Sequence, residues 1–157
     1  MLVDPVVESP GYERKQWLSV LAKAHADEMA SAWNALDQRP DYRPLRAPEV
    51  GLILVRGRMG GLGDAFNVGE MTLTRAAVRL DSGETGLAYV AGRSRHHAEI
   101  AAAVDAMMQS PGLRAQVEGP VVARLERAQQ ERRTLVARKA AATKVDFFTM
   151  VTGRGGA

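Results

Sequence analysis

The sequence predicts an α+β fold: an antiparallel sheet of about four strands, flanked by an N-terminal helix and C-terminal helices. Three observations carry that expectation. Apolar residues near the N-terminus recur at three- and four-residue spacings. Between residues 42 and 91 the pattern changes to strand-like alternation, and after Gly92 it returns to helical spacing. Helices grouped at the two ends of a meander pack together on one face of its sheet.

Trp17, Leu18, Leu21, Met29, Ala32, Trp33 and Leu36 form the first apolar stripe, which predicts helix from Tyr12 to Leu36 with a break near Ala26-Asp27. Pro40 and Pro44 end it. Val50 to Met59 reads as a strand, with Leu52 and Leu54 on one face and Ile53 and Val55 on the other. Apolar residues on both faces predict a central strand. A short strand over Tyr42 to Arg46, a strand over Met71 to Leu80 and another over Thr85 to Ala91 complete the sheet. Asp81-Ser82-Gly83 suits the turn between the last two, because Gly accepts positive φ. Apolar parity slips near Thr74-Arg75, which predicts either a bulge or polar groups turned inward.

Ser94 is a natural N-cap for a helix with His97, Ile100, Ala101, Val104, Met107 and Met108 on one face. Ser110-Pro111-Gly112 stops it. After a short turn, Pro120 opens a long helix to Ala142 with a thin apolar stripe, suited to solvent or to another subunit. The expected organisation is a lead-in over 1–11, one domain over 12–153 with an apolar tail, and a disordered end over 154–157.

Composition excludes several functions. The 157 residues contain no cysteine, which removes disulfides, thiolate metal sites and a cysteine nucleophile. No signal peptide and no apolar run of membrane-spanning length is present, so a cytoplasmic location is expected. Net charge is +3, yet Pro120 to Lys144 alone carries +5, from seven basic and two acidic side chains. Those charges lack interleaved aromatics and spread around the helix, so a solvated face is favoured over nucleic-acid binding.

Candidate chemistry gathers in three places. Arg58-Met59-Gly60-Gly61-Leu62-Gly63-Asp64 could present backbone N–H groups to phosphate oxygens, with Arg56 and Arg58 adding charge. It is neither a nucleotide-binding P-loop nor a dinucleotide fingerprint, and a plain connecting loop explains its spacing better. Glu70, Thr72 and Thr74 alternate on one strand face and could meet sugar hydroxyls or phosphate, although a solvent-facing strand explains them as well. Arg93, Ser94, Arg95, His96 and His97 open a helix whose N-terminus attracts anions. Adjacent histidines on a helix rarely share an ion, and His97, on the apolar stripe, suits a hydrogen-bonded core position. No metal site is expected.

Four segments together resemble one family, the G subunit of carbon–phosphorus lyase, PhnG. They are Arg14-Lys15-Gln16-Trp17-Leu18 with Leu21-Ala22; Arg58 to Gly63 running on through Phe66, Gly69-Glu70, Thr72 and Thr74 to Leu80; Gly92-Arg93 with His97-Ala98-Glu99 and Asp105-Ala106; and Val145 to Val151. The second and fourth are the specific ones. Leu62 stands where the family often has Thr, Thr152 where Arg is common, and His96 replaces another polar residue.

The resemblance implies a non-autonomous subunit that joins H, I and J subunits, the I subunit most directly. That assembly attaches a phosphonate to C1 of ribose, displacing adenine from ATP to give a ribose 1-phosphonate 5-triphosphate. An iron–sulfur cluster and S-adenosylmethionine belong to the J subunit, and this chain alone is expected to bind no cofactor. Arg58, Gly60, Gly61, Gly63, Glu70, Thr72, Thr74, Arg75, Arg93 and His97 become candidates for a phosphate site or a partner interface. Phe147, Phe148 and Met150 become an interface tail, since aromatics and Met are enriched in interfaces. The rival expectations are a free-standing phosphate- or nucleotide-binding protein and a basic-helix nucleic-acid binder.

Overall fold

The structure, a computed structural model, describes residues 13–143. The expected lead-in, the apolar tail with Phe147, Phe148 and Met150, and the expected disordered end lie outside the described residues. Two short helices replace one long one at the start: α1 (Arg14–Lys23) and α2 (Ala26–Asn34). The break falls at Ala24 and His25, whose extended backbones separate the helices, close to the expected position. Trp17, Val20 and Leu21 of α1 and Met29, Ala32 and Trp33 of α2 point into the core.

Three antiparallel strands follow in the order β1-β2-β3: β1 (Tyr42–Arg58), β2 (Ala65–Leu80) and β3 (Thr85–Ala91). The sheet has three strands rather than four because Tyr42–Arg46 and the Val50 segment are one strand. Two register shifts, at Pro44/Arg46 and Arg46/Glu49, carry β1 past Pro44 and Pro48 without ending it. The expected central position also fails: β2 is central and β1 lies at the edge.

Thr74, Ala76, Val78 and Leu80 of β2 share the buried face with Gly86, Ala88 and Val90 of β3. No register shift falls at Thr74-Arg75, so the parity slip marks a polar group turned inward. Thr74 is fully buried, and its hydroxyl donates to the Gly92 carbonyl at 2.7 Å.

Helix α3 (Arg95–Gln109) covers that face, capped by Ser94, whose hydroxyl accepts the His97 N–H at 3.3 Å. It is buried on nearly every side, from His97 and Ala98 through Met108. A run of alanines keeps it thin, and Gly86 lets it press on β3. A Cβ at Gly86 would lie 1.9 Å from the Ala102 carbonyl oxygen and 2.6 Å from the Ala106 nitrogen. Where a short turn was expected, Pro111–Val117 forms α4. Pro120 does not open the last helix. It sits inside a π-helical turn, Glu118–Ala123, and α5 (Arg124–Ala142) follows.

Asp105 of α3 ties the layers together. Its fully buried carboxylate accepts Trp17 Nε1 at 2.8 Å, Arg14 at 3.2 and 2.8 Å, and the Leu87 N–H at 2.9 Å. A charge this buried is tolerable only with such a set of donors, and removing it strands those donors in turn. Asp105→Ala should therefore destabilise the chain by about 3–5 kcal/mol in urea unfolding.

Candidate functional site

β3 ends opposite Leu73, but β1 and β2 continue. Their ladder runs on from Gly51↔Leu73 to Arg58↔Ala65 as a two-stranded arm, on the order of 25 Å long. Residues opposite each other share a face. Leu52 and Leu54 therefore lie with Thr72 and Glu70, and Ile53 and Val55 with Met71 and Gly69. The sequence assigns those two faces correctly, but among the described residues neither is covered. Leu52 and Leu54 are 65% and 60% exposed, Ile53 41% and Val55 36%. Phe66 and Val68 extend the apolar surface toward the tip.

At the tip Met59–Gly61 makes one 3₁₀ turn, with Gly60 and Gly61 at φ 58° and 80°. Only glycine adopts such angles readily, so these two residues shape the reversal. The Leu62 and Gly63 N–H groups both donate to the Met59 carbonyl, the latter at 3.0 Å. Arg58 donates to the Gly63 carbonyl at 3.0 Å. Two of the loop's backbone donors and its guanidinium are thus engaged in closing the loop. Met59 and Leu62 project from the tip, strongly exposed.

The remaining candidates lie elsewhere. Glu70, exposed, and Thr72, half-buried, sit on the shaft of the arm. Arg75 is at its base, where it and Arg46 both donate to the Glu49 carboxylate. The hydrogen bond from Arg46, then that from Arg75, hold Glu49 below the usual carboxylate range. Ten strand residues, on the order of 30 Å, separate Arg75 from the rung bearing Arg58. Arg93 is exposed just after Gly92, which turns at φ 92°. Thr74 and His97 are internal. His97 Nε2 donates to the Leu21 carbonyl at 2.8 Å, and burial pushes the imidazole below its ordinary pKa of 6.5. The structure therefore spreads these residues over tip, shaft, base and core. Among the described residues no cluster of three or more His, Asp or Glu could hold a metal.

Among the described residues, the first half of the basic helix α5 is anchored to the body. Gln129 donates to the Val20 carbonyl at 2.7 Å, and Arg132 pairs with Glu28. Beyond that point Leu135 and Val136 are exposed. No helix among the described residues is long and apolar enough to cross a membrane.

Residues 12–153 match the family described as phosphonate metabolism protein PhnG. The chain belongs to the PhnG family. A relative from Rhizobium meliloti (strain 1021) is 46% identical over 144 residues, 90% of each chain. It is described as alpha-D-ribose 1-methylphosphonate 5-triphosphate synthase subunit PhnG. The match runs through α1, the whole arm and α3, so the PhnG-family region includes both the buried Asp105 cluster and the exposed ribbon.

Sequence patterning misses two features. The arm does leave a signal, the unbroken apolar run Leu52-Ile53-Leu54-Val55, which a central strand would share. Asp105 leaves little, because one acid in an alanine-rich helix does not announce donors on two other elements.

His97 yields a pH dependence. Burial favours its neutral form, so below about pH 6.5 the unfolded chain takes up a proton that the fold resists. Its contribution is complete above that pH and declines as the pH falls beneath it. Glu49 and Glu84, both lowered from 4.5, act only at more acid pH. Urea midpoints should drop as the pH falls below about 6.5 in the parent chain, and His97→Gln should flatten that drop.

Proposed function

We propose that this chain is a non-autonomous subunit of alpha-D-ribose 1-methylphosphonate 5-triphosphate synthase, and that its arm locks into larger partner subunits. One observation carries the reading: a two-stranded ribbon, apolar on both faces, leaves the body and meets nothing among the described residues. An isolated hairpin is marginally stable in water, and exposed apolar surface of this kind marks interaction sites. The Rhizobium meliloti relative, a synthase subunit by description, supplies the assembly it would join.

The reaction of that assembly is displacement at the ribose C1 of ATP. A phosphonate oxygen forms the new bond to C1, the bond from C1 to adenine breaks, and adenine leaves with a proton. The partners are the H, I and J subunits, with the I subunit on the arm. The iron–sulfur cluster and S-adenosylmethionine sit with the J subunit, and this chain binds no cofactor of its own. The chain's contribution is to hold partner surfaces in place, so that two anionic reactants meet in a fixed geometry.

The separation of Arg58 from Arg75, and their engagement with Gly63 and Glu49, favour the interface over a shared phosphate site. Two experiments test this. Leu52→Ser/Leu54→Ser should leave the thermal midpoint of the isolated chain nearly unchanged, because both side chains are already exposed. The same variant should lose co-purification with co-expressed H, I and J subunits, and full co-purification would refute the reading. Arg58→Ala/Arg75→Ala complexes that assemble should release adenine within about threefold of the parent rate. A fall of about 100-fold would instead place these guanidiniums on the reacting phosphates.

A further inference from the structure

The sheet treats its two edges differently. On β3, the Leu87 N–H is taken by Asp105 and the Thr85 carbonyl by Gln109 Nε2, each at 2.9 Å. Side chains of α3 thus occupy part of that edge. On β1, the features that discourage strand pairing lie on either side of one bare stretch, with Arg56, Arg58 and a register shift at Val55/Arg56 beyond it. Pro44, Pro48, Arg46, Glu49 and both early register shifts lie between Tyr42 and Val50. From Val50 to Val55 there is no proline, no charge and no shift. Exposed edges normally carry such protection, because bare backbone groups invite another strand.

The backbone directions along this stretch follow from alternation in an antiparallel ladder. Leu87 turns its N–H away from β2, so Ala77 opposite it faces β1. Even-numbered residues of β2 then face β3, which agrees with the Gly92 N–H bonding the Thr72 carbonyl at 2.9 Å. Odd-numbered residues Leu73, Met71 and Gly69 bond Gly51, Ile53 and Val55. That leaves Val50, Leu52 and Leu54 with both N–H and C=O directed out of the open edge.

On the proposed docking role of the arm, we infer that a strand of a partner subunit adds to this edge and bonds the backbones of Val50, Leu52 and Leu54. The fitting strand is about five or six residues long, with β-branched or aromatic side chains on both faces beside Leu52/Leu54 and Ile53/Val55. An acidic residue at one end would meet Arg56 or Arg58. A second copy of this chain fits poorly. Two-fold self-pairing centred on Leu52 or Ile53 sets Glu49 opposite Val55 or Gly57 and Pro48 opposite Arg56 or Arg58. No opposite charges meet, and a proline enters the ladder.

Residue-resolved amide hydrogen exchange, on the full chain alone and in the complex co-expressed with H, I and J subunits, tests the inference. Val50, Leu52 and Leu54 should slow by ~100-fold or more on assembly, while Gly51, Ile53 and Val55, already bonded to β2, change little. Leu52→Pro, which removes one outward N–H, should abolish assembly, whereas Leu52→Ala, which keeps it, should only weaken it. A complex in which Val50, Leu52 and Leu54 exchange as fast as in the free chain would overturn strand addition and leave the subunit role standing. Failure of the parent chain to form any complex would sink both. Protection already present in a dimer of the isolated chain would assign the edge to a second copy and overturn the partner strand.

Discussion

The Asp105 carboxylate is the constraint on which the body depends. It lies fully buried in α3 and receives hydrogen bonds from Arg14 and Trp17 of α1 and from the backbone of Leu87 in β3. A buried anion costs several kcal/mol unless its lone pairs are met, so these partners hold the helix, the strand edge and the N-terminal helix in one arrangement. The Trp17 ring is gripped from its other side by the Arg114 guanidinium, 5.4 Å from the ring centroid. α4 is thereby drawn into the same junction.

Two consequences follow from that junction. Because Leu87 spends its outward N–H on Asp105 and the Thr85 carbonyl is taken by Gln109, the edge of β3 is partly occupied by α3. Because α3 is lined with alanine and meets Gly86, helix and sheet come close enough for a short aspartate to reach the strand. A bulkier helix would stand off too far. The body is therefore covered on its helical side, and the β1–β2 ribbon reaches beyond it. Rigid support behind a ribbon of marginal intrinsic stability suits a subunit that assembles onto others.

The legible parts of the fold were those with local causes. Ser94 caps α3 and Gly83 turns β2 into β3, each through its own side chain or backbone freedom. The even-numbered buried face of β2 was legible too, including the inward polar group that its parity slip allowed. The strand count and the place of β1 were not, because Pro44 and Pro48 look like terminators yet are passed by bulges at an edge. Of the candidate site, the glycine loop was correctly placed between two strands, but the sequence could not show how far it lies from Arg75. His97 was identifiable as a core position from its stripe alone.

Residue identity and spacing along single elements were enough for the α+β class, the two faces of the arm, the family and the absence of thiol chemistry. Tertiary structure settled the rest: that Asp105 gathers donors from α1 and β3, that β1 is an edge, and that its most apolar stretch has no cover among the described residues. An apolar strand carries the same side-chain pattern whether its neighbours come from its own chain or from another. Only the spatial order of the strands distinguishes the two.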